Sequence, residues 1–190
     1  MPKQTFSQRR CRDGKKPLWN TSPDVTFYQC DTCGAIYPIT TFGEEAGNNI
    51  EVSCCGHKLE QLIPQDYDDE KGVLDGKVKL SYQIVGGFND NAIKVAWKDP
   101  MYTWKPKWIY MKTFVGGYLK YIKENKRSPM VFALADTDAF CYCDRDPCVE
   151  CTFRCKRGFI IYYYGDDIGL VQIPIDKMNP YWQMKDKEEK

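Results

Sequence analysis

A single histidine, His57, stands in 190 residues, and that scarcity removes whole classes of chemistry. Ser/His and Cys/His nucleophilic catalysis both need a positioned imidazole, and here only His57 can supply one. There is no glycine-rich loop to cradle a phosphate, and no constellation for acyl transfer or glycoside cleavage stands out. No run approaches the ~18 consecutive apolar residues that a membrane-crossing helix needs. The first 25 residues are polar and basic without an apolar stretch, so no secretion signal is expected. Charge of either sign is not in excess: 27 basic side chains face 26 acidic ones, although the two kinds are strongly segregated along the chain.

What the chain has in abundance is cysteine, ten in all. Without a secretion signal, that number argues for metal ligation in a reducing, cytoplasmic compartment rather than for a disulfide framework. Cys30 and Cys33 form a C-x2-C-G; twenty residues later Cys54 and Cys55 form a C-C-G. Four thiols on two tight turns can converge into one tetrahedron for a thiophilic metal, iron or zinc. Adjacent cysteines must splay their side chains to reach a common centre, so a site distorted from ideal tetrahedral geometry is expected.

A second cluster, Cys141, Cys143, Cys148, Cys151 and Cys155, packs five cysteines into fifteen residues. Cys148-x2-Cys151 is a chelating knuckle, flanked by Cys143 and Cys155 at spacings of four and three. Such a loop closes around one metal. Zinc is the expected occupant and a small iron–sulfur cluster its rival, since in plant-type clusters the fourth cysteine is remote. Two four-cysteine sites leave Cys11 and Cys141 spare.

The remaining sequence divides by charge and periodicity. Residues 1–24 form a basic arm of net charge +4, read as a solvated tail, and 179–190 form a charged tail. Residues 25–64 hold the first metal module. Residues 65–76, with five acids against one lysine, read as a linker and domain boundary. From Lys77 to about residue 178, seven short runs rich in β-branched and aromatic residues alternate with glycine- and asparagine-rich turns. The expectation is an all-β chain: a small metal module, then an immunoglobulin-like β-sandwich into which the Cys-rich segment 141–157 is inserted. Between Lys77 and Met130 eleven basic residues face three acids, a net of +8. That basic face is expected to steer an acidic redox partner. The interleaved Tyr82, Trp97, Tyr102, Trp104, Trp108 and Tyr118 offer nucleic-acid stacking as the lesser alternative, with core packing the plainer account of the same rings.

The segments FYQCDTCGAIYPI and EVSCCGHKLEQLIP, over roughly residues 27–64, resemble desulforedoxin, the iron–tetrathiolate module that also opens the desulfoferrodoxins. This chain departs in carrying an extra turn, Glu44 to Asn49, which a loop between two knuckles absorbs at small entropic cost. The resemblance implies that Cys30, Cys33, Cys54 and Cys55 hold one mononuclear iron cycling between ferric and ferrous, and that the chain pairs as a homodimer. Residues 77–174 are similar in outline to the superoxide reductase domain that often follows. Asp99-Pro100-Met101 stands where that family has His-Pro-Met. Trp108-Ile109 ends its Glu-Trp-Ile run, and Tyr164 to Leu170 lines up with its Tyr-Cys-Asn-x-His-Gly-Leu.

The departures here are decisive. The reductase centre uses four histidines and one cysteine, and the matching positions hold Asp99, Trp104 or Lys105, Gly165, Ile168 and a residue near Lys77. None of Gly, Ile, Trp or protonated Lys coordinates iron. A hard-metal site from Asp99, Asp166 and Asp167 is weaker than their ordinary role of capping backbone amides. His57 either tunes the neighbouring thiolates or is simply an exposed turn residue. The leading expectation is a one-electron redox protein at the four-cysteine centre, with a sandwich that has lost its own iron. The alternatives are a zinc-stabilised, non-enzymatic binding module and a divergent superoxide reductase.

Overall fold

The computed structural model describes residues 24–41, 50–86, 91–113, 115–135, 138, 156 and 158–175. The second cysteine cluster, with Cys143, Cys148, Cys151 and Cys155, lies outside the described residues, as do Cys11, Cys141 and both tails. Among the described residues there is no α-helix, and none long and apolar enough to cross a membrane.

Thirteen strands run in chain order among them. The cysteine module contributes β1 (Asp24–Gln29), β2 (Ile36–Thr41), β3 (Ser53–Cys54), β4 (His57–Lys58) and β5 (Gln61–Leu62). After β6 (Gln65–Asp66) come β7 (Lys79–Val85), β8 (Ala92–Lys98), β9 (Trp108–Lys112) and β10 (Gly117–Tyr121). The last three are β11 (Met130–Ala133), β12 (Phe159–Gly165) and β13 (Gly169–Ile175). β7 to β13 are the seven runs expected from the sequence.

A five-stranded sheet ordered β10-β9-β12-β13-β6 and a three-stranded sheet ordered β11-β8-β7 form the sandwich. β8 alternates cleanly, burying Ile93, Val95 and Trp97 and turning its other face to solvent. Those side chains meet Ile109, Met111, Ile161 and Tyr163 of the opposite sheet in one core. The hydroxyl of Tyr163, fully buried, donates to the carbonyls of Ser81 at 3.0 Å and Ala96 at 3.2 Å, so the phenol is satisfied while tying one sheet to the other.

β9 and β12 do not alternate in burial; WIYMK is buried throughout. Their second face is covered by the cysteine module, whose sheet runs β2-β1-β5. Phe27 of β1 sits among Trp108, Tyr110 and Tyr162, at centroid distances of 5.3, 5.1 and 4.9 Å. The molecule is therefore three layers deep at this point, which is why both faces of these strands are apolar. Lys112 anchors the rim, its Nζ donating to Asp24 Oδ1 at 3.2 Å.

The acidic stretch 65–76 carries the chain from module to sandwich by adding a strand. β6 pairs in parallel with β13, aligning Gln65 with Val171 and Asp66 with Gln172. Tyr67 then accepts the Leu80 amide on its hydroxyl at 2.9 Å, and Asp68 Oδ1 accepts the amides of Glu70 and Lys71 in the following turn.

Candidate metal centre

Two local turns build the centre. The first leaves β1 directly: Cys30 N–H donates to Ala35 O at 2.9 Å, and Gly34 N–H returns to Cys30 O at 2.7 Å. Gly34, at φ +72°, closes this knuckle in the left-handed region that glycine tolerates best. The second turn solves the problem of vicinal cysteines. Cys54 and His57 pair across β3 and β4, leaving Cys55 and Gly56 as a two-residue hairpin loop. Both have positive φ, +51° and +80°, the signature of a type I′ turn. Cys54 thus projects from a strand while Cys55 projects from a turn of opposite hand, and the two side chains diverge enough to share one centre.

The four Sγ atoms of Cys30, Cys33, Cys54 and Cys55 all lie within 4.8 Å of one another. Cys33 and Cys54 are 3.5 Å apart, Cys54 and Cys55 3.9 Å. A tetrahedron with metal–sulfur bonds of about 2.3 Å has edges of about 3.8 Å, so these thiols fit a zinc- or iron-sized cation. Among the described residues they are the single group of three or more ligating side chains so gathered.

The electrostatics are those of crowded thiols that perturb one another's ionisation. The amides of Cys33 and Thr32 hydrogen-bond the Cys30 sulfur and hold its thiol down at about 7, outweighing burial. Cys55 is pushed up to about 12 by its contacts with Cys33, Cys54 and Cys30. Four thiolates this close repel unless a cation sits between them. Cys30 is buried, while Cys33 and Cys55 are exposed, so the cluster has one protein wall and one open side.

One contributor escaped the sequence reading. Tyr37 of β2 donates its hydroxyl to Cys54 Sγ at 3.0 Å. That contact with Cys54, with burial, pushes the phenol up to about 12, keeping it a donor. The position was readable only as an apolar-leaning strand residue seven places after Cys30. His57 lies exposed on β4 opposite Cys54.

The Cys30-bearing turn is tied to the sandwich. Trp108 Nε1 donates to Gln29 Oε1, next to Cys30, at 3.2 Å. The same indole stacks on Tyr164 at 5.1 Å and 11°.

The positions that the sequence resemblance set against the reductase ligands serve other ends. A Cβ on Gly165 would meet Trp104 Cζ2 at 3.2 Å and Ile168 Cγ1 at 3.5 Å, so an indole and an aliphatic side chain fill that space. Trp104 and Ile168 belong to the margin of the sandwich core. Asp99 is buried and spends both oxygens on its own loop: Oδ1 accepts Met101 N–H, and Oδ2 accepts Thr103 N–H, Thr103 Oγ1–H and Trp104 N–H. Asp166 pairs with Lys107 at 2.5 Å. Among the rings weighed for base stacking, Trp97 and Trp108 are buried and Tyr82, Trp104 and Tyr118 pack on the core, leaving Tyr102 exposed.

Asp99 carries a pH prediction. The Trp104 and Met101 amides, with Thr103, hold its carboxyl at about 2 against an ordinary 3.8. The unfolded chain takes up this proton first, so the stabilisation is whole above pH 3.8 and lost as pH falls through about 2. Asp99→Asn is expected to lower Tm at neutral pH and to flatten the fall of Tm with pH across that window. An unchanged slope would contradict the capping role.

No family model and no curated protein matches the sequence. Among solved structures, the chain is similar to the superoxide reductase from Treponema pallidum, with a TM-score of 0.52 at 15% identity, over 79% of this chain and 98% of that one. At that identity the likeness speaks for the fold. The chain is an all-β protein built on a superoxide-reductase-like β-sandwich, with a four-thiol cluster in the module packed against it.

Proposed function

We propose that this protein is a non-haem iron redox protein that exchanges single electrons with a partner protein at Cys30, Cys33, Cys54 and Cys55. The observation that carries the reading is the convergence of four sulfurs from two turns to within 4.8 Å. When bound there, iron supplies a one-electron ferric–ferrous couple. The chain's own contribution is to hold the sulfurs with little rearrangement, through the Cys30 to Ala35 turn and the Cys54 to His57 hairpin. Hydrogen bonds from the Cys33 and Thr32 amides to Cys30, and from Tyr37 to Cys54, withdraw charge from sulfur and favour the reduced state. The open side at Cys33 and Cys55 lets a partner approach closely, and the lysines of the sandwich favour an acidic one.

The sandwich is proposed to be a scaffold rather than a second redox centre. The apolar filling around Gly165 by Trp104 and Ile168 supports this, and weighs against a divergent superoxide reductase acting there.

Protein purified without oxygen, then exposed to a mild oxidant, is expected to show ferric–thiolate charge-transfer absorption that bleaches with dithionite. A colourless protein with stoichiometric zinc in the four-thiol site would overturn the redox reading and leave a zinc-stabilised binding module.

A further inference from the structure

Among the described residues, the amides of Thr32, Cys33 and Ala35 address the Cys30 and Cys33 sulfurs, and the Tyr37 hydroxyl addresses that of Cys54. Tyr37 Oη lies 3.0 Å from Cys54 Sγ. Its aim is set by the sheet: β2 pairs with β1 so that Tyr37 stands opposite Tyr28. Its ring packs against the small module core of Tyr28, Cys30 and Leu59. The sulfur it addresses is central to the cluster, with Cys33 at 3.5 Å and Cys55 at 3.9 Å. The two phenols that face each other differ in one respect. Tyr28 directs its hydroxyl to the Ile50 carbonyl at 3.5 Å.

A hydrogen bond to a thiolate draws off part of its negative charge. The bond is stronger when the centre carries one more electron, so it favours the reduced form. We infer that Tyr37 is a positioning residue that raises the reduction potential of the metal held by these four cysteines, acting through the Cys54 sulfur. The inference rests on the metal-redox reading above and adds the residue that sets its potential.

The test compares full-length wild type, Tyr37→Phe and Tyr28→Phe. Each is loaded with iron for a redox titration and separately with cobalt(II) for its sulfur-to-metal charge-transfer spectrum. Tyr37→Phe keeps the ring and the packing and removes only the donor. It is expected to lower the reduced-to-oxidised ratio at a fixed potential about tenfold, a negative shift of about 59 mV for one electron. Its cobalt charge-transfer band is expected to move, while Tyr28→Phe matches wild type in both measurements. A Tyr37→Phe protein indistinguishable from wild type overturns the inference. Equal shifts in both variants overturn it too, because they mark general loosening of the module. A wild type that takes up neither iron nor cobalt ends the metal reading itself, an outcome separate from a metal-loaded wild type that Tyr37→Phe merely copies.

Discussion

Replacing Cys30 with serine is expected to cost the chain its metal at this site and most of the stability of the cysteine module. Within the module, the core independent of the sandwich comprises Tyr28, Cys30 and Leu59 as its buried members. A core that small does not hold a fold on its own, and chains of this kind depend on a metal or another cross-link. Structural metal sites return on the order of 10 kcal/mol of binding free energy as folding free energy. Cys30 is the buried thiol of the four, and its sulfur accepts the amides of both Cys33 and Thr32, so it is the least replaceable. Loss of a hydrogen-bonded supporting group around a metal costs about 10- to 100-fold in affinity, and loss of a ligand itself costs more. Competition against a chelator is expected to show a fall of more than about a hundredfold for Cys30→Ser. An affinity within about threefold of wild type would mean that Cys30 is not a ligand.

Phe27→Ala is the second large effect. Phe27 is 1% exposed and touches three aromatic rings of the sandwich, so its removal opens a void between the layers. Truncating a buried phenylalanine costs about 3–5 kcal/mol. The upper half of that range applies here, because the rings around it are held from behind by the sandwich and cannot collapse inward. Urea unfolding is expected to register a loss of about 4 kcal/mol, with a change in near-ultraviolet dichroism from the Trp108–Tyr164 stack. The Cys30 to Ala35 turn is also joined to this layer through Gln29 and Trp108, so metal affinity should weaken modestly as well. A loss below about 1 kcal/mol would show that the module does not depend on the sandwich face.

Much of this architecture was legible in the chain. Alternation in KLSYQIV and AIKVAWK, with turn residues between them, is the direct trace of a sheet buried on one face. The cysteine spacing pointed to the cluster because a C-x2-C knuckle and a C-C-G pair leave few other uses for four thiols. What was hidden lies in contacts between distant residues. The continuous runs WIYMK and FIIYYYG read as strands, yet nothing in them says that the second covering layer is the cysteine module. Gln29 and Trp108 are 79 residues apart, and no periodicity links them. A two-residue acidic strand such as Gln65–Asp66 carries no pattern at all, so its pairing with β13 emerged only in three dimensions. Tyr37 was passed over because strand alternation states which face a side chain takes, not where its hydroxyl ends. The residues at the aligned reductase positions were visible as departures; that Trp104 and Ile168 fill the space beside Gly165 was not.

The central claim is that four sulfurs share one metal, and metal-edge X-ray absorption on the purified, iron-loaded protein tests it most directly. The account predicts a shell of four sulfur scatterers at about 2.3 Å, with one equivalent of that signal lost in Cys30→Ser. A shell of oxygen or nitrogen neighbours, or a metal content unchanged by that substitution, would contradict it.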